Sequence, residues 1–575
     1  EIHVPEYSIN EQENVFLTYL QNQKDKTKSL FILKQILALF ERYKFNISFR
    51  QKIKIIEVSI QWQKKYPKMN LEILYSISIL RCAGETLSFE MRQKLYQSMI
   101  NNSFQFPSGF SKIYKNDIEK KQDNTSYKYT TEKSCLSLNQ GDDIITSTIT
   151  SFTFPNISFS NNFLNKKPNL RFSKPINDLI DVIFSFSIIN YPLIIEGPNG
   201  CGKSSAFYYV AQCLGMKVIQ ISLSQRTTIE DLFGRYEPSA QGDSIHFEFK
   251  PTAFLNAIDN DRNNGGKYWI IIEDLHLASP SVIDALEPIF NFKSNHVTLP
   301  DGSFVQKSNF FIVGLLTKQL QKQSIAKTAL YYKMPNYTKD EFSEICRFIL
   351  EMNGFNDSVQ RICPILSQLF EISSSSQVKT PITPREAYKF VKMMKASSQH
   401  SNNENKYNDT QICQLLSLGR FYDDELKAGI IQNINKSVKN QAFSLIEEIP
   451  EFIIENGTTL SSKNISINST IGIQTFINDI NHLTKSEKLF EFLILNIDEY
   501  TPILVQGPTA SGKTFSIQLF ANILGKKLKV LQMNQEINSS FIAGTYSPSK
   551  DLNSNDILEL RSALELLNNM IPIFP

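Results

Sequence analysis

The sequence predicts an α/β chain built as tandem modules, each a parallel sheet flanked by helices and followed by a smaller helical domain. Three observations carry this prediction. A segment recurs along the chain; a glycine-rich turn sits between an apolar strand and a helix in each copy; and one further strand is apolar without alternation.

The recurrence is direct. Residues 197–238 align without a gap with residues 507–548, an offset of 310, and twelve of the 42 positions are identical. I-H-V-P-E-Y-S-I-N-E, from Ile2, pairs with Y-K-M-P-N-Y-T-K-D-E, from Tyr332, at an offset of 330, with Pro, Tyr and Glu in register. S-F-R-Q-K around Arg50 pairs with T-P-R-E-A around Arg385 at an offset of 335. These spacings agree within loop variation, so a unit slightly longer than 300 residues is repeated. The chain is then expected to be a piece of a longer protein that enters late in one copy, holds a whole second copy and leaves early in a third. Its first residue, Glu1, fits that expectation.

Within the whole copy, residues 193–196 read as an apolar strand, 204–214 as a helix closed by Gly215, and 217–223 as a second strand. W-I-I-I-E-D, at 269–274, is continuously apolar before its acids, as expected of a central parallel strand covered on both faces. Helical periodicity over 340–369 and 384–396 predicts the helical domain that follows. Ser, Asn and Thr dominate 101–175, and 396–409 is polar, so these read as a linker and a loop. The expected divisions are a helical lid over 1–100, the linker over 101–175, an α/β domain over 176–335, a helical lid over 336–470 and the start of another α/β domain over 471–575.

Composition limits the function classes. At 575 residues the chain is too long for one core. With Lys plus Arg at 60 and Asp plus Glu at 57, the net charge of +3 gives no global case for a nucleic-acid or anionic-membrane partner. No basic, aromatic-interleaved stripe supplies a direct nucleic-acid motif, and no apolar run reaches the roughly 18 residues of a membrane span. The seven cysteines are scattered without a C-x-x-C pair, so neither a zinc site nor a disulfide framework is indicated.

The chemistry lies in the turns. Gly197, Pro198, Asn199, Gly200, Cys201, Gly202, Lys203 and Ser204, followed by Ser205, fit a phosphate-binding loop. So do Gly507, Pro508, Thr509, Ala510, Ser511, Gly512, Lys513 and Thr514, followed by Phe515. Each loop is expected to follow an apolar strand and open a helix, where closely spaced backbone N–H groups and the helix dipole favour phosphate. Lys203 and Lys513 would reach the β and γ phosphates of ATP, and the hydroxyls of Ser204 and Thr514 would complete the coordination of Mg²⁺. Phosphoryl transfer also needs a metal-holding carboxylate and a water-orienting group, usually adjacent acids on a neighbouring strand. Glu273 is the expected metal-side acid and Asp274 the expected water-side acid. Arg385, and Arg50 in the earlier copy, each open a helix of a helical domain, and such an arginine can fold over the nucleotide phosphates.

These residues together resemble the dynein-related, MoxR-like branch of the AAA+ ATPases. E-D-L-F-G-R-Y-E-P, from Glu230 to Pro238, is similar to that branch's D-L-L-G-x-Y-x-P segment, and M-N-Q at 533–535 with A-G-T-Y-S-P at 543–548 repeats the likeness. Residues 269–288 resemble its acidic strand and following helix. The resemblance implies tandem AAA+ modules of one chain in a pseudo-hexameric ring. It further implies ATP hydrolysis, pre-60S ribosomal particles and assembly factors as partners, and a nuclear location in nucleolus and nucleoplasm. Three departures bear on turnover. The branch orders its acids Asp then Glu, the reverse of Glu273 and Asp274; the polar sensor position falls near Leu315 with no Asn; and the arginine-finger position falls within 326–332, where Lys327 is the nearest cation. A mechanochemical ATPase, a nucleotide-stabilised scaffold without turnover and another dynein-related motor all remain compatible with the residues.

Overall fold

The computed structural model describes residues 9–106, 127–146, 174–417, 453–468, 487–497 and 502–531, with short interruptions. Five helices come first: α1 (Ile9–Tyr19), α2 (Lys26–Arg42), α3 (Phe49–Lys65), α4 (Leu71–Cys82) and α5 (Phe89–Asn101). Inside the stretch read as a linker, β1 (Tyr127–Glu132), β2 (Cys135–Gln140) and β3 (Asp143–Thr146) form an antiparallel meander. That pairing escaped the sequence reading because it rests on register between strands rather than on hydrophobicity.

The α/β part then runs α6 (Lys174–Ile188), β4 (Leu193–Glu196), α7 (Lys203–Cys213), β5 (Lys217–Ser222), α8 (Ile229–Phe233), β6 (Gly234–Gln241), β7 (Ser244–Pro251), α9 (Ala253–Ile258), β8 (Tyr268–Glu273), α10 (Pro280–Phe290), β9 (His296–Thr298), β10 (Phe304–Gln306), β11 (Phe310–Leu316), α11 (Ser324–Thr328) and β12 (Leu330–Lys333). Five strands pair in parallel in the order β12, β4, β11, β8, β5. All seven residues of β11 are buried, as expected of a strand covered on both faces. The expectation that the acids end a strand neighbouring the first loop needs correcting, because β11 lies between β4 and β8. Gly314 permits the tight packing there; a Cβ on it would meet Leu275 Cδ2 at 2.8 Å.

Two antiparallel hairpins pair outside this sheet, β6 with β7 and β9 with β10. The glycine of the D-L-F-G-R-Y segment starts the first of them. Gly234 sits at φ 128°, and a Cβ there would lie 2.3 Å from the Lys250 carbonyl oxygen.

The lid comprises α12 (Lys339–Met352), α13 (Asn356–Ser375), α14 (Arg385–His400) and α15 (Asp409–Ser417). A capping box starts α12, with Thr338 and Glu341 exchanging side-chain to backbone bonds. A small meander, β13 (Ile453–Glu455), β14 (Thr459–Ser461) and β15 (Ser466–Asn468), precedes α16 (Glu487–Ile497) and α17 (Lys513–Ile523).

The packing repeats along with the sequence. One apolar core joins α1–α5 to α6 and α7, including Ile180, Ile183, Phe184, Val210 and Leu214. A second core joins the lid to α16 and α17 through Phe490, Leu493, Ile494, Phe520 and Leu524. At the offset of 310, these last five occupy the same positions as the first five. Each helical unit therefore packs on the helices that flank the next copy's loop. The first junction also buries charge: Arg81 and Arg92 each meet Asp178 at 2.7 Å, Arg81 also pairs with Asp181, and Arg92 stacks 4.5 Å from the centre of the Tyr332 ring.

Candidate functional site

The loop between β4 and α7 is held from below. The Gly197 N–H donates to Leu316 O at 3.1 Å, and a Cβ at Gly197 would meet Met334 Cβ at 2.9 Å. Gly200 and Gly202 sit at φ 75° and 86°, left-handed conformations that L side chains seldom adopt. α7 opens at Lys203 with no side-chain cap on its first N–H groups, which suits those donors to a phosphate. The buried Lys203 reaches back, its Nζ donating to Gly197 O at 2.7 Å and Pro198 O at 2.8 Å.

From α7, Ser204 Oγ donates to Glu273 Oε1 at 2.9 Å. The other carboxylate oxygen accepts from Gln220 Nε2 at 2.9 Å, and Gln220 Oε1 accepts from Tyr208 OH at 2.6 Å. Both oxygens of Glu273 are thereby fixed. Asp274 follows in a left-handed conformation at φ 54°, which turns the chain sharply off the strand. At the end of β11, Thr317 Oγ1 lies 3.0 Å from His276 Nε2. Burial first, together with the nearby Lys318 and Lys203, lowers the His276 pKa despite Asp274, so the imidazole is neutral at neutral pH. Burial likewise raises the Cys201 pKa, which the Lys203 ammonium only partly offsets, so Cys201 stays a thiol.

These groups surround a cavity of about 310 Å³. Its lining combines polar groups, residues 199–205, Glu273, Asp274, Thr317 and Arg385, with apolar and aromatic side chains, among them Ile176, Ile345, Phe348 and Tyr388. A cavity that offers both kinds of surface suits a phosphate-bearing ligand with a planar base. Arg385 opens α14 and lines the cavity from the lid side. Arg50, its counterpart in the earlier copy, is the second residue of α3, is exposed and does not line this cavity.

The second loop keeps its shape in part. Lys513 and Thr514 open α17, and Lys513 Nζ donates to Gly507 O at 3.0 Å and to Ser511 Oγ at 3.2 Å. Ala510 and Gly512 sit at φ 61° and 77°, matching Gly200 and Gly202. The expectation of a strand before this loop is corrected, since residues 502–508 carry no strand. Phe515 is half exposed. The M-N-Q and A-G-T-Y-S-P stretches lie outside the described residues.

Sequence reasoning missed three participants. Thr317 places a hydroxyl just beyond the Leu315 position expected to carry the polar sensor; Gln220 holds Glu273; and Tyr337 donates its hydroxyl to Gly200 O. The recurrence of P-x-Y in two copies was the available signal for Tyr337.

A parallel sheet with an intervening strand between the loop strand and the acidic strand, and a lid closing over the loop, defines an AAA+ P-loop module. The family model described as "AAA domain (dynein-related subfamily)" matches residues 192–370. Over 394 residues, 62% of this chain, the sequence is 22% identical to midasin of Dictyostelium discoideum, and over 397 residues, 63% of the chain, it is 20% identical to midasin of Giardia intestinalis. The matches span 6% and 8% of those relatives' lengths. The chain is a midasin-like AAA+ protein.

Proposed function

We propose that this chain is a pair of ATP-binding AAA+ modules in a mechanochemical ATPase that remodels large-subunit pre-ribosomes in the nucleus. The observation that carries the nucleotide part is the convergence of Lys203, Ser204, Glu273 and Arg385 on one cavity from separate segments of the chain. The Ser204 hydroxyl and Glu273 carboxylate are the oxygen pair that would hold Mg²⁺, with Thr514 as the hydroxyl of the second loop; the ion would neutralise phosphate charge. Lys203 and Arg385 would meet the phosphates, and Ile345, Phe348 and Tyr388 the base. The whole-ring activity, the pre-60S partners and the nuclear location rest on the likeness to midasin.

Turnover at the first loop should be slow. The longer acid, Glu273, reaches the Ser204 hydroxyl, which leaves the shorter Asp274 for the water side. Its carboxylate falls short of a glutamate's reach by about one C–C bond, and displacements near 1 Å can cost on the order of 10²-fold in rate. The reversed acids also keep a second reading alive, in which nucleotide locks lid and sheet together without hydrolysis. Substituting Lys203 and Lys513 separately by Ala in the full-length protein discriminates the two. A fall in ATPase rate with either variant supports the motor reading, and an unchanged rate with both supports the scaffold.

A further inference from the structure

Tyr337 is placed where three parts of the module meet. It lies in the short crossing from β12 into α12, and its ring packs against both the sheet-side core and the lid core. Its hydroxyl donates to the carbonyl oxygen of Gly200, in the middle of the phosphate loop. The same loop residue is pressed from the other side: a Cβ at Gly200 would sit 3.3 Å from Thr383 and Pro384, just ahead of Arg385. Burial, and to a smaller degree the thiols of Cys201 and Cys346 and the Glu341 carboxylate, raise the phenol pKa above its ordinary value. The hydroxyl therefore remains a donor throughout the physiological range.

A trans peptide fixes its C=O and N–H in opposite directions, and the described chain has no cis bond. Holding the Gly200 carbonyl toward the hinge therefore turns the Cys201 N–H away from it. Gly200, which precedes the 200–201 peptide and sits at φ 75°, has no Cβ to restrict that side of it, so a bond from outside the loop bears on its orientation.

We propose that Tyr337 is a positioning residue that sets the Gly200–Cys201 peptide for phosphate binding and thereby ties the lid's hinge to occupancy of the loop. The proposal rests on the nucleotide reading above and deepens it. A group at the hinge that favours one orientation of a phosphate-contacting peptide must, by linkage, be favoured in turn by phosphate. Other phenols near the cavity do not share this arrangement: Tyr388 is carried within α14, and Tyr208 is bonded to Gln220.

The test is Tyr337→Phe, which keeps the ring in both cores and removes the hydroxyl alone. Affinities for ADP and for AMP are measured on the whole chain carrying Lys513→Ala, which silences the second loop, by competition against a fluorescent ATP analogue, with thermal unfolding followed without nucleotide. The expected result is a loss of about 3- to 10-fold for ADP, the size of one hydrogen bond, with AMP binding unchanged because AMP brings no β-phosphate to the loop. Equal losses for ADP and AMP would show that the hydroxyl supports the cavity as a whole and not the β-phosphate peptide, and unchanged ADP binding would show that the bond is idle; either overturns the proposal. Wild-type chain that fails to bind the analogue at all would instead refute the nucleotide reading on which it stands.

Discussion

The Ser204 hydroxyl and the Glu273 carboxylate meet at 2.9 Å, although the strands that lead to them are not neighbours. β11 separates β4 from β8, and the contact forms above its carboxyl end, where Leu315, Leu316 and Thr317 line the same cavity. Gln220 fixes the second Glu273 oxygen, so the acid is pre-set toward the helix that carries Lys203. On the proposed function, that geometry would put the longer acid on the metal side and leave Asp274 for water.

Reversing the acids tests that assignment. The double variant Glu273→Asp, Asp274→Glu in the full-length protein, with Lys513→Ala silencing the second loop, is expected to raise ATP turnover at least about 10-fold over Lys513→Ala alone. An unchanged or lower rate would mean that acid order does not limit the first site.

The two loops differ at one strained position. Ala510 adopts φ 61° where the first loop has Gly200, and a non-glycine residue in that conformation costs about 1–2 kcal/mol. Ala510→Gly should stabilise the second loop by a few tenths to about 1 kcal/mol after the added freedom of the unfolded glycine is subtracted. Gly200→Ala should cost more than that gain, because the new methyl also meets Thr383 and Pro384 at 3.3 Å. Hydrogen exchange at the start of α7 and α17 reads both effects locally.

The first junction between helical unit and sheet depends on buried charge. Arg92→Met removes one partner of the fully buried Asp178 and is expected to cost about 3–5 kcal/mol in urea unfolding. Adding Asp178→Leu should recover much of that loss, because Arg81 keeps Asp181 and no unpaired carboxylate remains. A double variant no more stable than the single would show that the pair stabilises the junction in its own right. At the second junction, position 488, the counterpart of Asp178, is a lysine, and Phe490 and Phe520 pack there with ring centroids 5.7 Å apart.

Much of the fold was legible because local pattern dictates it. The apolar run before Gly197 becomes β4, Gly215 ends α7 at φ 65°, and the unbroken Trp269–Ile272 run is buried in β8, between β11 and β5. Strand order was not legible, because nothing local in β11 says that it inserts between β4 and β8. The β6–β7 hairpin was hidden for a related reason: Tyr236 pairs with Phe249 and Pro238 with Phe247, so its alternation shows only when both strands are set side by side. At the site, the loop residues were readable from their glycines, whereas Thr317 was missed because the resemblance puts the polar position near Leu315, two residues earlier. Tyr337 could be seen to recur, but its bond to Gly200 depends on how the hinge returns over the loop, which no spacing reveals.

Every role proposed for the first loop requires that it bind Mg-ATP. Equilibrium titration of Lys513→Ala and of the double variant Lys203→Ala, Lys513→Ala, with nucleotide-free unfolding checked in both, is the direct measurement. Saturable binding that weakens by two orders of magnitude or more when Lys203→Ala is added, with the unfolding midpoint unchanged, is the predicted result. Binding of equal strength in the two proteins would contradict it.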